Sequence, residues 1–331
     1  MSTMTLNLSR PGGLSWVTWR QHRIAMLGVV VLLGGLGVFL LLSGLAMHHD
    51  YRSLGVAACA DPNSQSCAFP SGLFSNRYSG WAMFLPRFFM FIPGALGVFV
   101  GAPLVARELE AGTFRFAWTQ GRSRGQWIVT KLVLLGVVLT ALALAFSALF
   151  SWWFGPWDRI MGRMVAGQAY EVTGVVFAAR TLFAFTLGAF LGAVIRRTVP
   201  AMAATAAAWL AVAWPGVAYL RPLIKGPLVV RADKLTEISN TWTIKDWYQD
   251  PAGHHISATA LTALSARAKA DGVTTGDGFT HWLMQHGYTQ WVSYQPNDRF
   301  WHFQLIEGSG YLGLALILAA VTVWWVRRRT A

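Results

Sequence analysis

Charge is what this sequence lacks. Only 12% of its 331 residues are Asp, Glu, Lys or Arg, about half the roughly 25% of an ordinary soluble domain. The uncharged residues gather into apolar runs about as long as a bilayer is thick, which excludes a soluble cytoplasmic enzyme. Acids are the scarcest charged class, 14 against 27 Lys and Arg, for a formal net charge of +13. No G-x-x-x-x-G-K-[ST] loop occurs, so the chain cannot bind ATP in the P-loop manner. H-E-x-x-H and G-x-S-x-G are missing too, leaving zinc-hydrolase and serine-hydrolase chemistry without sequence support. No small-residue cleavage site follows the first apolar run, so a removable signal peptide is not expected.

What is present is six apolar runs, over 24–45, 84–106, 132–154, 172–195, 199–220 and 305–326. A hydrocarbon core of about 30 Å crossed at 1.5 Å per residue needs about 20 residues, and each run meets that length. The expected fold is an all-α polytopic membrane protein with six transmembrane helices. The second run is interrupted by Pro93, Gly94, Gly97, Gly101 and Pro103.

The segments between the runs differ in charge. Residues 1–23, 107–131, 196–197 and 327–331 carry 13 Lys and Arg against Glu108 and Glu110 alone. Residues 46–83, 155–171 and 221–304, with Glu307, carry 12 bases against 12 acids. The positive-inside rule then sets both termini in the cytoplasm of a plasma-membrane protein. The excess positive charge lines that face and is no sign of nucleic-acid binding. Trp16, Trp19, Trp152, Trp153, Trp157, Trp324 and Trp325 flank spans, as an interfacial aromatic belt would.

The two cysteines, Cys59 and Cys67, fall in the outer loop 46–83. An oxidising compartment and a short separation point to a disulfide; the alternative is two free thiols sharing a loop. The last outer segment, 221–304, has the size of a small domain. Within it Ser257–Ala270 reads as a helix with Ser257 as N-cap and Leu261, Leu264 and Ala268 on one face. A shorter helix is expected over Phe279–His286. Five histidines lie here (His254, His255, His281, His286 and His302), without any metal-ligand spacing, and no metal site is expected.

Between spans two and three stands Ala106-Arg107-Glu108-Leu109-Glu110-Ala111-Gly112-Thr113-Phe114-Arg115, followed by Arg122-Ser123-Arg124 and Lys131. It reads as a short helix with acids in its first turn, a glycine stop and a basic return. R-E-x-E-x-G-T ahead of a basic turn resembles the coupling region of type-two ABC exporter permeases. The motif covers about 25 residues, whereas the six-span topology covers nearly the whole chain. The resemblance implies that Arg107, Glu108, Glu110, Gly112, Thr113 and Phe114 dock into a separate cytoplasmic P-loop ATPase, present in two copies and carrying ATP and Mg. It implies an interfacial helix before span one, matched here by Leu14–Arg23, within a cytoplasmic N-terminus over 1–23. It also implies a second permease copy, with a homodimer expected, and an enlarged last outer loop leading into span six through Tyr294–Gln304. No cofactor is expected on this chain, which would not itself be an enzyme.

By the same resemblance, spans two and five line the transport path. Phe88, Phe91 and Phe99 of span two and Met202, Trp209 and Trp214 of span five are the candidate lining, suited to a hydrophobic or amphiphilic drug, lipid or peptide; packing against lipid and neighbouring helices is the other reading. Arg180, eight residues into span four, is either a contact for cargo or headgroups, or a snorkelling or structurally paired charge with Glu171 as partner. The expected function is outward export. The alternatives are a non-transporting complex that transmits ATP-driven motion to the 221–304 loop, and an intramembrane enzyme using outer-loop His and Asp residues.

Overall fold

The computed structural model of the chain describes residues 12–59, 65–112, 123–164, 169–234 and 241–329. In chain order the helices are α1 (Gly12–Ser53), α2 (Ala68–Phe89), α3 (Ile92–Leu96), α4 (Ala102–Glu110), α5 (Arg124–Ile160), α6 (Gly174–Ile195), α7 (Thr198–Pro215) and α8 (Arg221–Ile224). There follow β1 (Leu228–Arg231), β2 (Trp242–Gln249), α9 (Ala258–Ala270), α10 (Gly276–Gln285), β3 (Thr289–Gln295) and α11 (Phe300–Arg329). Among the described residues, six helical segments are long and apolar enough to cross a membrane, with α2 to α4 acting together as the second. The protein is therefore a helical, multi-pass membrane protein.

The helices outrun the apolar runs. α1 is one helix of 42 residues, so 12–23 is helical and continuous with span one. Because α1 reaches Ser53 and α2 begins at Ala68, the non-helical part of the first connection is much shorter than 46–83. Cys59 and Cys67 close it with a disulfide, their Cα atoms 6.2 Å apart.

Proline explains how span two is divided. Pro93 opens α3 and Pro103 opens α4, positions where the missing N–H is best tolerated. Ahead of Pro103 the ladder loosens into a π turn over Gly97–Gly101, in which the Ala102 N–H donates to the Gly97 carbonyl. Span five repeats the device. After α7 a π turn covers Gly216–Leu220, the Arg221 N–H donates to the Gly216 carbonyl, and Pro222 follows in α8.

α6 is the centre of the bundle, packed by α5, α11, α7 and the lower half of span two. Its most apolar window is 67% buried, against 22% for α1 and 17% for α7. Glycine permits the closest of these approaches. A Cβ on Gly188 would lie 2.3 Å from the Gly97 carbonyl oxygen, and one on Gly192 would lie 2.4 Å from that of Ala102. Small residues at such a seam let membrane helices pack backbone to backbone.

Two of the expected belt tryptophans are core residues. Trp153 and Trp157 are buried, with Trp153 donating its indole N–H to the Ser43 hydroxyl at 3.0 Å and Trp157 packed on Phe74. The apolar and aromatic residues of 146–157 continue the core beyond the span, and burial there outweighs an interfacial position.

The segment after α8 holds a small sheet that the all-helical expectation did not place. Its order is β1-β3-β2, all antiparallel, with Trp247 opposite Trp291 and Val230 opposite Val292. Aromatic and β-branched residues dominate both β2 and β3, as a half-buried pleated surface favours. α9 and α10 are inserted between them and build their own core from Ala268, Trp282 and Leu283 against Tyr248 and Tyr288. Ser257 caps α9 as expected, its hydroxyl accepting the Ala260 N–H at 3.2 Å. Gln304 of α11 joins this end to the bundle: its amide accepts from the Val176 N–H at 2.9 Å and donates to the Tyr170 carbonyl at 3.2 Å.

Candidate coupling and transport sites

α4 stops, α5 and α7 start and α11 finishes at one end of the bundle, the basic end. Arg107, Glu108 and Glu110 belong to the last turn of α4, not to the first turn of a separate helix. Gly112, at φ +68°, ends that helix in the left-handed region that glycine tolerates best. Acids are disfavoured at a helix C-terminus by the macrodipole, and both find a partner on another span. Glu108 accepts from the Lys131 ammonium of α5, which is 1% exposed and also lies 4.4 Å from the centre of the Trp127 ring. Glu110 accepts from the backbone N–H of Thr198 at 2.9 Å and from its hydroxyl at 2.6 Å. That carboxylate therefore caps the first turn of α7, where negative charge is favoured.

The two acids thus tie span two to spans three and five. Arg107 is exposed at the same turn. Thr113 and Phe114 lie outside the described residues. Lys131, Trp127 and Thr198 complete the cluster, and the sequence offered one signal for the first: a lysine opening an apolar run needs an acid.

At the opposite end, the sheet end, a second charged cluster is sealed inside the bundle. Glu171 lies in the turn before α6, Arg180 in α6, Arg221 in α8 and Glu307 in α11. Arg180 donates to Glu171 and reaches Glu307 at 3.3 Å. Arg221 lies 2.6 Å from Glu171 and donates to Glu307 through Nε at 2.9 Å and Nη2 at 3.1 Å. The guanidiniums also lie over aromatic rings, Arg221 4.0 Å from the centre of Tyr170 and Arg180 5.1 Å from that of Tyr311. Two acids and two bases leave no net charge. Burial alone would push the Glu171 carboxyl up, but Arg180 and Arg221 outweigh it and hold the group below the ordinary carboxylate range.

Arg180 is consequently buried and paired with Glu171. The snorkelling reading does not describe it, and in this chain it faces neither headgroups nor open space. Arg221 and Glu307 were missed as partners because each sits at a span boundary, where a charge needs no special explanation.

The candidate path residues separate into two groups. Phe88, Phe91, Phe99 and Trp214 project from the chain, whereas Trp209 is buried against Gly94, whose Cβ would meet the indole at 2.7 Å. Met202 is half-buried beside Ala102, Ala106 and Ala201. Trp209 therefore welds span five to span two, and its removal would loosen the pair whether or not cargo touches it. Two of the histidines between α8 and α11 have local partners: His254 meets Asp250 at 3.4 Å, and His286 meets the Trp282 carbonyl at 2.8 Å. Among the described residues no three of His, Cys, Asp and Glu come together as metal ligands would.

The geometry is that of a multi-pass membrane protein whose spans two, three and five are tied together at the basic end. The chain belongs to the family described as ABC-2 membrane transporter related, whose model matches residues 27–221. It is accordingly a transmembrane ABC transporter subunit of permease type, in a family whose members associate with an ABC ATPase subunit. No curated protein and no solved structure matches the chain.

Proposed function

We propose that the chain is the permease of an ATP-driven exporter that moves a hydrophobic or amphiphilic compound out of the cell. In this reading it lies in the plasma membrane with the basic end and both termini in the cytoplasm. Two copies pair as a homodimer, and each receives one P-loop ATPase carrying ATP and Mg. The observation that carries it is the junction at the basic end. A push on Arg107 and Gly112, and on Thr113 and Phe114 after them, is handed by Glu108 to span three and by Glu110 to the first turn of span five. Spans two and five each contain a π turn next to a proline, a place where a helix can bend without losing its whole ladder.

The test is gentle purification from native membranes, followed by mass spectrometry of what stays bound. A stoichiometric P-loop ATPase is the expected result. Repeated recovery without one, in a preparation that keeps other membrane complexes intact, overturns the proposal.

The folded sheet segment favours a second reading, in which ATP-driven motion is passed to that segment to control a partner protein. Replacing 228–295 by a short linker separates the two. Export of a small cargo survives the replacement if the chain is a transporter, and signalling is abolished if it is a transmitter.

A further inference from the structure

At the basic end, the last turns of α11 border a cavity of about 630 Å³ lined by Ala320, Val323, Trp324, Arg327 and Arg328. That is within the size range of small-molecule sites, roughly 300–1,000 Å³. The five positions recur every three or four residues, which puts them on one face of the helix. One turn further into the membrane the same face continues as Leu316 and Ile317, each 60% exposed. The stripe is therefore apolar along its length and doubly cationic at its end.

Two contacts hold the cations beside the apolar part. The Arg328 guanidinium lies 5.6 Å from the centre of the Trp324 ring. The stem of Arg327 crosses the first turn of α5, where a Cβ on Gly125 would meet its Cδ at 3.1 Å. Both arginines are exposed, and among the described residues no acid lines the cavity. The C-terminal end of α11 offsets only about half of one charge, so most of the two remains. A ligand that fits must bring negative charge at one end and apolar length at the other. A bare anion would leave Ala320, Val323 and Trp324 uncovered, and a zwitterionic head brings no net charge.

We propose that this groove seats an anionic phospholipid of the leaflet at the basic end, its phosphate on Arg327 and Arg328 and an acyl chain along Ala320, Ile317 and Leu316. Bases next to a span attract anionic lipid surfaces in general; the groove turns that attraction into one lipid at one place. The inference goes beyond the export reading and needs neither ATPase nor cargo.

The experiment holds the full chain in micelles containing equal amounts of dioleoyl phosphatidylglycerol and dioleoyl phosphatidylcholine, which share their tails and differ in net charge. Bound lipid is counted by native mass spectrometry. A saturable phosphatidylglycerol adduct is expected, preferred about tenfold or more over phosphatidylcholine. Arg327→Gln with Arg328→Gln should remove one phosphatidylglycerol per chain, and because both positions are exposed the core of the bundle is untouched. Arg327→Lys with Arg328→Lys keeps the charge and should keep the lipid. Ala320→Phe keeps both arginines but fills the apolar part, and should lose the same adduct. Arg197→Gln removes an exposed base at the same end outside the cavity, and should keep it. Equal occupancy by the two lipids, or an adduct that survives the double Gln variant or Ala320→Phe, overturns the proposal. Displacement of the lipid by inorganic phosphate overturns it too, by making the ligand a bare anion. So does a double Gln variant that keeps its lipid but loses a co-purifying protein, since the arginines would then face a partner chain.

Discussion

The two ends of the bundle handle charge in opposite ways. At the sheet end four charged side chains from four segments are sealed together, two of each sign, with aromatic rings over both guanidiniums. At the basic end each acid has its own partner on a different span, and Glu110 is exposed. A compensated, desolvated cluster resists change because moving any one member strands the others. Separate contacts, one buried at Lys131 and one exposed at Glu110, can be remade one at a time. The difference teaches where motion can enter: the sheet end is built to hold α6, α8 and α11 in register, and the basic end to pass displacement between spans two, three and five.

The largest break in that comparison is Glu171→Ala. It leaves two buried guanidiniums facing Glu307 alone, and removing one partner of a buried ion pair costs about 3–5 kcal/mol. A marked fall in thermal stability in detergent, or loss of the monodisperse species on size exclusion, is expected. A variant as stable as the unsubstituted chain would show that the cluster is not a lock.

Glu108→Gln at the basic end should cost less, about 1–3 kcal/mol, the range for a weakened buried hydrogen bond, because no member of the pair is stranded. Lys131 keeps the Trp127 ring beside it, and the amide can still accept a hydrogen bond. The variant should insert and purify, with any ATPase stimulation lost before stability is. If its melting temperature falls as far as that of Glu171→Ala, the contrast between a lock and a relay disappears. Glu108→Lys is the poorer test, because it sets a second cation against a buried one.

Much of the fold was legible because spanning a bilayer imposes a length: four of the six runs fall inside observed spans, and the runs 172–195 and 199–220 overrun theirs by two and five residues. The family was legible in Arg107, Glu108, Glu110 and Gly112, where a helix stop and paired acids interrupt an apolar pattern. The partners of those acids were not, since Thr198 meets Glu110 only through packing of spans two and five across 88 residues of sequence. The sheet was missed for a similar reason: β2 and β3 are joined through two helices instead of a tight turn, so no local hairpin signal exists. The π turns had a signal that went unread. In both, a glycine stands six residues before a proline, Gly97 before Pro103 and Gly216 before Pro222, inside an otherwise continuous apolar run.

The smallest expected effect sharpens the comparison from within the sheet end. Asp250 is also a carboxylate held in its ionised form, but on an exposed turn. Its Oδ1 accepts the backbone N–H of His254 at 2.8 Å and of Ala252 at 2.9 Å. The His254 N–H is the main reason its pKa lies below the ordinary value; slight burial opposes it, and the His254 ring and the Ala252 N–H add to it. A depressed pKa in the folded state means that the clasp contributes above the unfolded aspartate value, about 3.9, and is lost as pH falls through the lower folded one. Amide exchange of a peptide covering 249–256, corrected for intrinsic rates, should therefore stay protected at pH 7 and pH 5 and lose protection only below about 3.9. Asp250→Ala should abolish that protection at every pH while leaving the exchange of α6 and α11 unchanged. A loss that spread into α6 would mean that this turn and the buried Glu171 cluster unfold as one unit, and that the sheet end locks through its surface as well as through its core.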